Sequence, residues 1–452
     1  MKYLTTVVFF FCCLLSGTIQ GQQTWTLDEC VSYAIQNNLQ VKDFEYSEKA
    51  NREDYKQSIR NLLPSVSAFS NYRINFGRSV DPNTNSFVNT EFVSNNYSLD
   101  AQIDLFQGFQ KVNTIKATKF LYQASYEETL HQKYLLAFRV MSAFYDIQFM
   151  KGLLAISKEQ VQVSQENYNL VKRQVELGQK AKADLYEAES AWLADQLLVT
   201  QSENNLEAAK LALMQEMNLN EDRTITVVDL GIEKKSSVEI VEKNEDSIFN
   251  TAQTVVPIIK AQELRIEAAK KQLAATRGAL YPSFVFSAGY SSRYVDNNLD
   301  SDTGELIPFN TQIKDNAAQF VGVSLRIPIS NGWSNRSRVK QQKVAMMRAE
   351  NNFNIQKQET YQIIQQLVQD GNALQREYEQ SNLRRDAQQV AFDIAQKRYE
   401  KGLISIIELN QSKNLLANAQ NEFLQVRLRL KINKSTLDFY RGLPVFNIKR
   451  VQ

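Results

Sequence analysis

The chain has 452 residues, with 52 basic and 50 acidic side chains and a net charge of +2, so no strong field points to nucleic acid or an acidic polymer as partner. Only 15 glycines and 7 prolines punctuate that length, which excludes a turn-rich fold and favours long uninterrupted elements. Hydrophobic residues make up 43%, diluted through Gln- and Asn-rich stretches, a pattern of extended amphipathic elements rather than one thick core.

The N-terminus "MKYLTTVVFFFCCLLSG" carries Lys2, an apolar run from Leu4 to Leu15, then the small residues Ser16 and Gly17. About a dozen apolar residues are too few to span a bilayer, so residues 1–21 read as a secretory signal peptide cleaved after Gly21. "FFFCC" lacks the small residue expected ahead of a lipidated cysteine, which disfavours a lipoprotein. The mature chain would keep Cys30 alone, so packing rather than an internal disulfide must stabilise it. No later segment offers about 20 consecutive apolar residues. If this chain enters a membrane, it does so as strands.

The first mature element is a helix from Leu27 to about residue 61, with Thr26, Asp28 and Glu29 forming a capped start. It ends before Pro64. A strand over about 64–78 sets Val66, Ala68, Tyr72, Ile74 and Phe76 against a face of Ser65, Ser67, Asn71, Arg73 and Asn75. A second, over about 92–106, sets Val93, Tyr97, Leu99, Ala101, Ile103 and Leu105 against Ser98, Asp100, Gln102 and Asp104. A period of two with one apolar face is a half-buried strand, and roughly 10 to 14 residues suffice to cross a bilayer with tilt. Aromatic residues such as Phe69, Phe92 and Tyr97 crowd these strands as membrane girdles do.

From Gly108 to Gly178 the pattern is helical and free of proline, a rod on the order of 100 Å. "RQVELGQKAKADLYEAE" breaks it at a tip over about 175–184, and a return helix runs to about residue 219. A connector over 220–246 follows. The same order then recurs: a helix over about 247–280, strands over about 282–295 and 318–330, a long helix, a tip over about 399–408 and a return helix to 443. Residues 444–452 form a tail. "NLLPSVSAFSNYR" is echoed by "GALYPSFVFSAGYSSR", and "YSLDAQIDLFQGFQKVNTIKA" by "VGVSLRIPISNGWSNRSRVKQQ". Seventy residues separate Gly108 from Gly178, and seventy separate Gly332 from Gly402. Matched spacing of this kind marks an internal duplication, with repeats over 22–219 and 247–443.

Two half-length helices end to end equal one long helix, so each long rod can be matched by a column of two shorter ones. Four strands cannot close a barrel and would leave two open edges in lipid. Partner copies must close it: eight strands from two copies, with a filled lumen, or twelve from three, with water inside. An enzyme is disfavoured. The lone histidine, His131, sits mid-helix, and the chain has no cysteine pair, HExxH or phosphate-binding glycine loop. No cofactor or metal is expected. The alternative is a secreted or periplasmic structural coiled-coil protein without channel activity.

The start "TLDECVSYAIQNNLQVK", the strand motifs "LLPSVSAF" and "LFQGFQK", the two tips and the tail "NEFLQVRLRLKINKSTLDFYRGLP" together resemble the TolC-like outer-membrane efflux proteins over nearly all of the mature chain. The resemblance implies a mainly α fold with a β-barrel part. A trimeric 12-stranded transmembrane barrel would continue into a periplasmic 12-helix α-barrel. The implied function is a passive exit duct in the outer membrane of a Gram-negative bacterium, serving tripartite efflux or type I secretion. Implied partners are two further copies, outer-membrane lipid, a periplasmic adaptor protein and an inner-membrane pump of the resistance-nodulation-division or ABC type. The tips would meet the adaptor through Leu177, Gly178 and Gln179 and through Lys401, Gly402 and Leu403. Asp184, Tyr399, Glu408 and Gln411 fall at gate positions. Lys401, Gln179, Glu408 and Gln411 depart from the residues usual there, while Tyr399 could still hydrogen-bond to Asp184 across neighbouring hairpins.

Overall fold

The computed structural model describes residues 24–80, 85–89, 91–219, 225–229, 244–300 and 302–448. The expected signal peptide over 1–21 lies outside these, as do most of the connector and residues 449–452 of the tail. Backbone contacts divide the chain into two units. One comprises Ser47–Tyr126 and Ala261–Ile355, the other Met1–Tyr46, Glu127–Lys260 and Gln356–Gln452.

In chain order, β1 (Thr24–Trp25) leads to α1 (Leu27–Asn37) and α2 (Leu39–Arg60). Next come β2 (Ser65–Asn75), β3 (Arg78–Val80), β4 (Phe87–Asn89) and β5 (Phe92–Gln107). The first hairpin is α3 (Gln110–Glu176) and α4 (Lys182–Met217). After β6 (Thr226–Val227), α5 (Glu245–Val255) and α6 (Pro257–Gly278) lead into β7 (Ser283–Val295). The chain then forms α7 (Phe309–Asp315), β8 (Ala318–Arg326) and a second hairpin of α8 (Ser334–Glu400) and α9 (Ile406–Tyr440).

The unit containing Ser47–Tyr126 holds an antiparallel sheet in the order β2-β5-β7-β8. Its register stacks Val66, Ala101, Ala288 and Val321 in one row and Ser67, Asp100, Gly289 and Phe320 in the next. One face is therefore apolar and the other mostly polar, as period-two alternation dictates. Apart from Phe309, whose ring packs on Tyr97 and Tyr294, the apolar face is open among the described residues: Val66 is 62% exposed, Val321 73% and Val323 62%. Among the described residues β2 and β8 are the sheet's edges.

Both strand pairs hand over to their long helices in the same way. Gly108 and Phe109 have φ of 57° and 61°, and Gly332 and Trp333 have 60° and 67°. One side chain at each turn then caps the incoming helix. Lys111 Nζ donates to the Asn61 carbonyl at 2.5 Å, and Asn335 Nδ2 donates to the Ala279 carbonyl at 2.8 Å. These carbonyls belong to the orphaned C-terminal set that any helix leaves.

Three features differ from the sequence reading. The first helix is split at Asn38, whose extended backbone ends α1 while its Oδ1 accepts from Gln40 N (2.9 Å) and Val41 N (3.3 Å). In the second repeat Pro257 does the splitting, because the residue before a proline is pushed out of helical geometry; Val256 sits at φ −73° and ψ 116°. The last strand stops at Arg326, short of the expected 330, since β7 begins at Ser283 and leaves nothing further to pair with. Within the loop between β7 and β8, α7 is held by Gln312. Its Nε2 donates to the Val295 carbonyl (2.9 Å) and its Oε1 accepts from Val295 N (3.0 Å). A side-chain amide thus substitutes for a strand neighbour.

The other unit is helical. Thr26 and Glu29 form a reciprocal capping box at the head of α1, with Thr26 N donating to Glu29 Oε2 at 2.8 Å. The main core joins Cys30 and Ala34 of α1, Leu136 and Phe144 of α3, and Leu213 and Met217 of α4. Burial pushes the Cys30 thiol up to about 12, so it stays protonated and inert. A second cluster ties the two hairpins together through Val171, Ala188, Phe392, Tyr399, Ile406 and Leu409.

Candidate functional site

The two tips are built alike. Both long helices run 67 residues and end on a glycine with φ of +71°, Gly178 and Gly402. At each, the glycine N–H and the next one fold back on the last turn. Gly178 N donates to the Val175 carbonyl (3.0 Å) and Gln179 N to Gln174 (2.8 Å). Gly402 N donates to the Tyr399 carbonyl (2.8 Å) and Leu403 N to Arg398 (2.9 Å). This paired closure satisfies the orphan carbonyls and needs a left-handed residue, which glycine supplies without a Cβ penalty. Leu177 (67% exposed) and Leu403 (64%) project at the turns, beside exposed Gln179 and Lys401.

Asp184 and Glu408 stand at the same helical position, the third residue of α4 and of α9. Asp184 Oδ2 accepts from Ala181 N at 3.1 Å. Glu408 N donates to Ser405 Oγ at 3.2 Å, and that hydroxyl donates to Glu408 Oε1 at 3.4 Å. Carboxylates in a first turn also complement the helix dipole. Tyr399 is buried in the inter-hairpin cluster. Within the chain its hydroxyl accepts from Lys180 Nζ at 3.4 Å, and that ammonium lies 4.9 Å from the ring centroid. Lys180, not Asp184, is thus the intrachain partner of Tyr399. Gln411 lies one turn beyond Glu408 on the exposed side of α9. It lines a cleft of about 400 Å³ with Glu187, Ile407, Asn410 and Asn414. These residues occupy one end of the hairpins, and no group of three metal-ligating side chains occurs among the described residues.

Sequence reasoning missed two contacts here. Lys180 was visible as a tip cation, but its approach to Tyr399 depends on how one hairpin packs on the other. Lys413 of α9 forms an ion pair with Asp195 of α4, with side chains only 5% and 7% exposed. The one signal was a lysine interrupting the buried positions Leu409 and Leu416. Nothing in the sequence singled out Asp195 as its partner. No described helix is long and apolar enough to cross a membrane.

Comparison with known proteins identifies the architecture. Residues 30–219 and 250–443 match the outer membrane efflux protein family. The probable efflux pump outer membrane protein TtgC of Pseudomonas putida is 23% identical over 420 residues, covering 89% of this chain and 80% of the relative. The outer membrane protein TolC of Vibrio cholerae is 22% identical over 421 residues, 91% of each chain. The outer membrane channel CmeC of Campylobacter jejuni shares the fold with a TM-score of 0.77 at 14% identity, over 92% of this chain and 85% of that one. The chain belongs to the outer membrane efflux protein family. It is an outer-membrane exit duct of an efflux system, extending into the periplasm of a Gram-negative cell, and not an enzyme.

Proposed function

We propose that three copies of this outer membrane efflux protein pair β8 of one with β2 of the next, closing a 12-stranded barrel around a water-filled lumen. The observation that carries this is the strand order. Directions alternate along β2-β5-β7-β8, so β8 and a neighbour's β2 meet antiparallel, as every pair within this sheet does. Lipid tolerates no unpaired edge, and closure removes both. The exposed apolar face suits lipid and the Ser, Asn, Asp and Gln face suits water. Exposed Phe109 and Trp333, at the turns leading from sheet to long helices, suit an aromatic belt at the inner interface.

The family match over two separate segments supports reading residues 22–219 and 247–443 as repeats of one unit. Export by the signal peptide 1–21 would deliver the chain to the periplasm. There the tips at Leu177-Gly178-Gln179 and Lys401-Gly402-Leu403 would meet a periplasmic adaptor. Exposed leucines on turns of identical backbone form support such a docking surface. Energy would come from an inner-membrane pump of the resistance-nodulation-division or ABC type. Asp184, Tyr399, Glu408 and Gln411, close to the tips, would form the gate.

The mass of the detergent-solubilised particle, taken from an outer-membrane fraction by light scattering corrected for detergent, tests the assembly. Three chains per particle is the expected result. A monomer released without detergent would return the chain to a soluble helical rod.

A further inference from the structure

Lys413 lies on α9 four residues after Leu409 and three before Leu416, on a stripe that is otherwise apolar and buried. Its ammonium pairs with Asp195 of α4, so the contact joins the return helix of one hairpin to the return helix of the other. The pair is far more enclosed than Lys111–Asp104, whose side chains are 21% and 23% exposed. The pair also breaks the internal duplication. The positions 224 residues away are Glu189 for Lys413 and Ala419 for Asp195, which cannot form a second bridge. Each chain therefore carries one such link.

Stability does not explain it, because two well-packed apolar side chains would hold the helices at least as well without desolvating two charges. Register does. An apolar contact is non-directional and lets one helix roll or slide against another, whereas a dry ion pair fixes one arrangement. Parting the helices must strand both charges or admit water to them. We propose that the Lys413–Asp195 bridge is the interlock that holds α4 and α9 in register behind the tips, and that widening of the duct requires it to break. The inference rests on reading the tips as the gate.

Full-length protein in planar bilayers tests it, since only assembled channels conduct. Lys413→Met and Asp195→Asn each leave one charge unpaired and should raise single-channel conductance several-fold. The exchange Asp195→Lys with Lys413→Asp should bring it back to the wild-type level. Single variants that conduct as wild type, or an exchange that stays as open as they are, overturn the proposal. Where the single variants yield no channels, Asp195→Leu with Lys413→Met removes both charges together; raised conductance then supports the interlock and wild-type conductance overturns it. Asp184→Ala with Glu408→Ala is recorded beside them. A change there with unaltered bridge variants leaves the gate reading standing and removes the interlock; changed bridge variants with none there leave the interlock at the tip gate and remove Asp184 and Glu408 from it.

Discussion

Gly178 and Gly402, 224 residues apart, share a backbone φ of +71° and the same pair of hydrogen bonds closing a 67-residue helix. A Cβ built at either would meet open space, so conformation alone makes glycine the favoured residue. Alanine at either tip should cost about 1 kcal/mol, the usual penalty for an L-residue in the left-handed region. Asparagine, which tolerates that region, should cost less. Denaturant titration of the detergent-solubilised protein reads both, and the two alanine effects should add, since each turn is closed by its own helix.

A second pair of duplicated glycines should behave unequally. Gly108 and Gly332 have φ of +57° and +60°, yet a Cβ at Gly108 would lie 2.3 Å from the Gly278 carbonyl oxygen, while one at Gly332 would touch nothing. Gly332→Ala therefore carries only the conformational cost of about 1 kcal/mol. Gly108→Ala must also displace backbone and should cost at least about 2 kcal/mol more, in the range of overpacking. Equal midpoint shifts for the two would contradict the close approach of Gly108 to Gly278.

His131 provides a pH prediction away from the sheet. Burial pushes its pKa down to about 4, and its Nδ1 has no hydrogen-bond partner. The folded pKa lies below the ordinary 6.5, so the unfolded chain takes up the proton first as the pH falls. The neutral ring's contribution is complete above 6.5 and is lost between 6.5 and about 4, by at most about 3 kcal/mol. Unfolding free energies of wild type and His131→Leu, compared at pH 7 and pH 4.5, should diverge by a smaller pH-dependent loss in the variant. Parallel losses would show that His131 is solvated in the assembled protein.

The large-scale order of elements was legible because each carried a periodic signal. Strand alternation such as Tyr97-Leu99-Ala101 and proline-free helical runs anchored at Gly108, Gly178, Gly332 and Gly402 give elements, and equal spacings give the repeat. Features written by single side chains in tertiary context were not legible. Asn38 splits a helix that local propensity would continue, by offering its own amide as a cap. Gln312 builds α7 by pairing with a backbone distant in sequence. The tip turns followed from glycine, but the partner of Tyr399 did not. Lys180 precedes it by 219 residues, and only the packing of one hairpin on the other brings the ammonium to the ring. The Lys413–Asp195 bridge is hidden for the same reason, spanning 218 residues.

Asp184 and Glu408 have two roles to separate. As third residues of their helices they accept or exchange hydrogen bonds with Ala181 and Ser405, so part of their value is capping. Three copies would also set up to six carboxylates around one mouth, where their combined negative field attracts cations. Lys180, Lys182 and Lys401 stand nearby on the tips and oppose that field. The carboxylates should prevail where the duct narrows, giving cation preference in the wild-type channel. Asp184→Ala with Glu408→Ala should move the reversal potential in a salt gradient toward anions, and each single variant should move it part of the way. Loss of the caps alone would lower unfolding stability by about 1 kcal/mol per site while leaving the reversal potential where it was. That outcome would remove both residues from the gate and leave them as helix caps.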